Sequence, residues 1–162
     1  MKKLVIFDLD GTLLNTIADL ANSTNYALEK NGFPTHQVPE YNYFVGNGIN
    51  KLFERALPEA ERNEENILKI RKDFLAHYDR HNMDFSTPYP GIVDLLAALQ
   101  DKGVLLAIAS NKYQAATEKL IPHFFPNIRF VSILGQREGV KTKPNPVIVN
   151  DILKEAKVAK EE

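Results

Sequence analysis

The chain has 162 residues, with 20 Lys and Arg against 21 Asp and Glu, a formal charge of −1. A nucleic-acid binder takes most of its affinity from neutralising phosphates, so the lack of a basic excess excludes that class. The 44% hydrophobic and 25% charged residues are those of an ordinary soluble globular chain, and the absence of cysteine excludes disulfides, thiolate metal sites and cysteine nucleophiles.

A cysteine-free chain fits a reducing cytoplasm. At this length one core with a small second lobe can bury roughly 70% of the unfolded surface. The apolar run after Met1-Lys2-Lys3 stops at Asp8, too short for a signal peptide. The longest purely apolar stretch, Val104 to Ala109, is far from the ~20 residues that span a bilayer, so no membrane is expected.

Leu4 to Phe7 is a continuous β-prone run, the pattern of a strand covered on both faces in a parallel sheet. It ends in Asp8-Leu9-Asp10-Gly11-Thr12, where Gly11 permits a sharp turn. Thr16 with Asp19 resembles a capping box, and Ile17, Leu20, Ala21, Ala27 and Leu28 form the apolar stripe of a helix closed by Gly32. Further helices are predicted after Pro39, through Leu52 to Leu57, and through Ile67, Ile70, Phe74 and Tyr78. No strand is predicted between 17 and 86. Thr87-Pro88-Tyr89-Pro90-Gly91 is a turn-rich joint. Beyond it strands and helices alternate: helix Ile92 to Lys102, strand Val104 to Ala109, helix Gln114 to Ile121, strand Phe130 to Leu134, and a helix from Pro146 to about Lys157. This order predicts an α/β fold, a Rossmann-like parallel sheet core of residues 1–16 and 87–162, interrupted by an all-helical cap of residues 17–86.

In an open parallel sheet, ligands bind beyond the carboxyl ends of the strands. The residues there are Asp8 and Asp10, then Ser110-Asn111-Lys112, then a loop with Lys141, Thr142 and Lys143. Two carboxylates, a hydroxyl and an ammonium suit a phosphate ester. Other candidates fail: Gly135 to Thr142 lacks phosphate-loop spacing, and Gly46-Asn47-Gly48 lacks the third glycine of a dinucleotide fingerprint. His77 and His81 could pair on a metal, but without an evident third ligand they read as a polar helix face.

Asp8-Leu9-Asp10-Gly11-Thr12-Leu13, the strand ending in Ser110-Asn111-Lys112, and Lys143-Pro144-Asn145-Pro146 together resemble the first three motifs of the haloacid dehalogenase-like (HAD) phosphatases. Thr16 to Leu20, Gly46-Asn47-Gly48, Pro88 to Gly91 and Asn111-Lys112 are similar to phosphoglycolate phosphatases within that superfamily. The resemblance implies a Mg²⁺-dependent hydrolase of a small phosphorylated substrate, working through an aspartyl phosphate on Asp8. Asp10 is then acid to the leaving group and base to water, Ser110 holds a phosphoryl oxygen, and Lys143 offsets charge. Two carboxylates so close favour unequal protonation, which suits that division. Mg²⁺ is expected on Asp8 and on the carbonyl of Asp10, and Gly11, Thr12, Gly46, Gly48, Asn111 and Lys112 as substrate-binding positions. Gly46 to Gly48 reads equally as an ordinary turn. A pyrophosphatase or sugar-phosphate phosphatase, or a non-catalytic remnant that binds phosphate or a partner, is the alternative.

The family pattern continues with a strand and a Gly-Asp that supply a later metal ligand, and no such element follows Lys143. Asp151 lies in the last predicted helix, so that role is not transferred to it. The expectation is a C-terminally incomplete core with impaired activity. Leu4 to Phe7 would then be an exposed edge open to self-association.

Overall fold

The computed structural model describes residues 2–161, which divide into two compact units. One joins the stretch ending at Leu14 to that beginning at Pro88; the other is Asn15–Thr87. Among the described residues no helix is long and apolar enough to cross a membrane.

The first unit is built on a three-stranded parallel sheet in the order β1-β4-β5, from β1 (Leu4–Phe7), β4 (Leu105–Tyr113) and β5 (Phe130–Gln136). Leu4 pairs with Leu105 and Phe7 with Ile108, a register that carries Asp8 to the same end of the sheet as Ser110. Side chains alternate across a strand. Ala107 and Ala109 of β4 therefore face one side, where with Leu134 they pack on Ile148 and Ile152 of α6 (Val147–Ala156). The small alanines let that helix lie close. Helices α4 (Ile92–Asp101) and α5 (Gln114–Phe124) also pack on β4. Among the described residues β1 is an edge of the sheet, and its four apolar side chains are half-buried.

The boundaries differ from the predicted ones where side chains replace or extend the backbone ladder. The strand predicted to end at Ala109 runs to Tyr113, and α5 continues through Pro122 to Phe124, with the proline confined to the last turn. Two short strands not expected from sequence, β2 (Leu14–Asn15) and β3 (Thr87–Pro88), pair with each other.

The second unit is helical: α1 (Ile17–Lys30), α2 (Ile49–Ala56) and α3 (Glu64–His81), with short 3₁₀ turns at Val38–Tyr43 and Glu59–Glu61. Its core packs Phe74 edge-to-face against Phe53 and stacked on Tyr78, each ring pair with centroids 5.0 Å apart. The expected capping box is not formed, since the Thr16 side chain makes no cap bond to α1. Asp19, 2% exposed, instead accepts the backbone N–H groups of Phe85 (3.0 Å) and Ser86 (2.8 Å) and the Ser86 hydroxyl (2.6 Å). A buried carboxylate must find donors, and these tie the first turn of α1 to the exit of the unit across more than sixty residues. Asp19→Ala strands those donors and is expected to cost on the order of 3 kcal/mol, roughly a 10 °C drop in Tm. A melting curve within a degree or two of the parent would refute this role.

Candidate active site

The chemistry of the first unit collects where β4 breaks its ladder with β5. Ala109 pairs with Leu134 and Tyr113 with Gln136, so Ser110, Asn111 and Lys112 stand opposite Gly135 alone. Three residues against one is a bulge, which re-aims side chains at a sheet end. The ladder bonds lost there are replaced by Gln114, whose Oε1 accepts from Gly135 N–H (2.5 Å) and whose Nε2 donates to the Ile133 carbonyl (2.9 Å). Ser110 to Lys112 thus lie within the strand rather than after it, as the sequence had suggested.

Each bulged residue has a distinct task. The buried Ser110 hydroxyl accepts the Lys112 N–H at 3.1 Å, which leaves the hydroxyl proton to be aimed elsewhere. Asn111 accepts from Lys143 N–H at 2.8 Å and donates to the Lys143 carbonyl at 3.2 Å, so its amide grips the backbone of the later loop. The Lys112 side chain is 2% exposed, and an ammonium so buried needs a counter-charge. It has one in Asp10, at 3.1 Å.

The second lysine makes the matching pair. Lys143 Nζ lies 3.0 Å from Asp8 Oδ1 and donates to the Ala109 carbonyl at 2.7 Å. Asp8 is 45% exposed at its side chain and also accepts the Leu9 N–H. From Leu9 the chain turns sharply through Asp10: the Leu9 carbonyl receives the N–H groups of Thr12, Leu13 and Leu14 at 3.0–3.1 Å, and Gly11 sits at φ 76°, the left-handed region that favours glycine.

The structure brings together Asp8, Asp10, Gly11, Thr12, Ser110, Asn111, Lys112 and Lys143 in one unit. Gly46 and Gly48 belong to the helical unit, in the turn before α2, where Arg55 donates to the Phe44 carbonyl (3.0 Å) and Asn47 Oδ1 (2.9 Å). Asp151, given no role from sequence, forms an ion pair with Arg137 at 2.8 Å.

The haloacid dehalogenase-like hydrolase family profile matches residues 5–162. The chain belongs to this family. A phosphoglycolate phosphatase from Mesorhizobium japonicum is 34% identical over 150 residues, covering 90% of this chain and 65% of that protein. The phosphoglycolate phosphatase of Aliivibrio fischeri is 31% identical, covering 93% of this chain and 69% of its own length. A solved structure from Lactobacillus delbrueckii subsp. bulgaricus superposes with a TM-score of 0.90 at 32% identity, covering 98% of this chain and 75% of that one. The chain thus spans about two thirds of the length of the curated relatives it matches.

Two residues that shape this strand end of the HAD-family chain escaped the sequence reading, Gln114 and Gly135. A glycine inside a strand signals a close backbone approach. A Cβ on Gly135 would stand 2.5 Å from the Lys112 carbonyl oxygen and 2.9 Å from Thr117 Oγ1. Gly135→Ala must therefore push Lys112 aside, and is expected to cost about 2 kcal/mol, a fall of roughly 4–8 °C in Tm. An unchanged Tm would mean that the bulge yields freely.

Proposed function

We propose that this chain carries the nucleophilic and acid-base groups of a Mg²⁺-dependent phosphomonoester hydrolase, of the type that acts on 2-phosphoglycolate. The observation that carries the reading is the double pairing at the sheet end, Lys143 on Asp8 and Lys112 on Asp10, at 3.0 and 3.1 Å. A lysine beside each carboxylate offsets charge at a site where an anion must be received. The family match and the two phosphoglycolate phosphatases at 34% and 31% identity support the same reading.

On this reading an Asp8 oxygen attacks phosphorus, and the P–O bond to the leaving alcohol breaks as Asp10 gives that oxygen a proton. Water then attacks the aspartyl phosphate, Asp10 takes its proton, and inorganic phosphate leaves with Asp8 restored. The Ser110 hydroxyl donates to a phosphoryl oxygen, and Lys143 lies against the charge that develops there. Asn111 acts through Lys143, whose backbone it holds.

The donor set suits Mg²⁺, a hard cation that takes oxygen ligands. Asp8 has an exposed carboxylate, and the Asp10 carbonyl is the second donor on this reading. When bound, the ion supplies positive charge that lets an anionic nucleophile meet an anionic substrate. Two ammonium groups compete with it for the carboxylates, and we expect the 162-residue polypeptide by itself to hold Mg²⁺ weakly and turn over slowly.

Binding of orthovanadate, a mimic of the phosphoryl transition state, can be read without turnover. Isothermal titration in excess Mg²⁺ is expected to show binding by the parent chain, loss in Asp8→Asn, and weakening by about tenfold or more in Lys143→Ala. No Mg²⁺-dependent binding by the parent overturns the reading. Among substrates, 2-phosphoglycolate is expected to outpace sugar phosphates and pyrophosphate; the reverse order favours the alternative phosphatase. The edge of β1 offers a second copy a strand to pair with, so light scattering should report a mass that rises with concentration.

A further inference from the structure

The two lysines at the sheet end differ in what they can reach. Lys143 has 26% of its side chain exposed and stands against Asp8, itself 45% exposed, so an anion arriving from solvent can meet that pair. The Lys112 side chain is 2% exposed. The resemblance to known phosphatases offered Lys112 as a substrate-binding position, and its surroundings point to a different task.

Both ends of Lys112 are held within the sheet unit. Its N–H donates to Ser110 Oγ at 3.1 Å, and its carbonyl accepts the Thr117 hydroxyl at 3.4 Å while packing close against Gly135. At the other end Nζ donates to Asp10 Oδ1 at 3.1 Å and to Oδ2 at 3.4 Å. Contact with both oxygens orients the plane of the carboxylate as well as fixing its position. Removing one partner of a buried pair is strongly unfavourable, so Lys112 stays on Asp10 when a substrate arrives. Asp10 has 21% of its side chain exposed and can itself be reached.

We propose that Lys112 is a positioning residue: it holds the Asp10 carboxylate where that group serves the leaving alcohol and then water, and it does not touch the substrate. This rests on the hydrolase reading above. A general acid works only within hydrogen-bond reach of the oxygen it serves, about 2.6–3.2 Å. A misplacement of about 1 Å can cost about 10²-fold in rate. The two lysines then divide the work, with Lys143 against the phosphoryl group and Lys112 behind the acid. The bulge that seats Lys112 also seats Ser110 and Asn111, so one backbone irregularity places the phosphoryl donor, the grip on Lys143 and the support of Asp10.

The test compares two esters in excess Mg²⁺ under single turnover, with the full 162-residue chain in excess so that slow hydrolysis suffices. Phenyl phosphate has a leaving oxygen that departs best with a proton; 2,4-dinitrophenyl phosphate has one that needs none. Lys112→Met, close to lysine in length and suited to a buried position, is expected to slow phenyl phosphate by about tenfold or more and the dinitrophenyl ester by no more than about threefold. Its orthovanadate affinity should stay within about twofold of the parent. Asp10→Asn should show the same selective loss, and adding Lys112→Met to it should cost nothing further, because the lysine acts only through that carboxylate. If melting shows Lys112→Met unfolded, Lys112→Arg, which keeps the charge but seats it differently, carries the same comparison with a smaller loss of the same selectivity. Equal loss on both esters, a fall in vanadate affinity of about tenfold, or a further loss in the double variant overturns the role given to Lys112. A parent that cleaves only the dinitrophenyl ester has no working acid and overturns it too. A parent that cleaves neither overturns the hydrolase reading, and this inference with it.

Discussion

Three residues of β4 face one residue of β5, and the arrangement of charge at the end of the sheet depends on that mismatch. A regular parallel ladder would send Ser110, Asn111 and Lys112 alternately to opposite faces. The bulge gathers them instead, and it is possible only because Gly135 has no Cβ to meet the Lys112 carbonyl. Gln114 then supplies the donor and acceptor that the ladder has lost, so the irregular backbone leaves neither Ile133 nor Gly135 unsatisfied.

From this backbone the electrostatics follow. Asp8 and Asp10 lie two residues apart after β1, and like charges so close need compensation. It arrives from two different elements: Lys112 from the bulge and Lys143 from the loop after β5. Asn111 links the two, since it belongs to the bulge and holds the backbone of Lys143. Two carboxylates and two ammonium groups balance in charge. A phosphate ester brought there adds negative charge, which is the physical reason a cation belongs in the proposed mechanism.

The helical unit rests on a different kind of interaction. Its aromatic core would leave the ends of the unit untied, and the buried carboxylate of Asp19 closes them by taking donors from Phe85 and Ser86. Asn25 plays a similar part further along, accepting from His36 N–H and donating to the His36 carbonyl while Tyr41 donates to its Oδ1. Histidines that pattern alone marks as a polar helix face become an ordered ladder with Tyr26 once α1 and α3 are packed.

The sequence by itself determined the order of the elements and the residue types at the strand ends. Apolar runs, helical stripes and glycine or proline punctuation act over a few residues, so they are legible without a fold. The DxDGT turn is of this kind, its glycine required by a positive φ and its carboxylates by their spacing. What only the tertiary structure decided involves partners far apart in the chain: Asp19 with Ser86, Lys112 with Asp10, Gln114 with Gly135, Asp84 and Ser23 with the paired histidines. A local reading assigned Asp19 to a capping box and ended β4 at Ala109, because a side chain's partner and a strand's end are set by which groups remain unsatisfied after packing. Those groups are known only once the sheet and the helices have met.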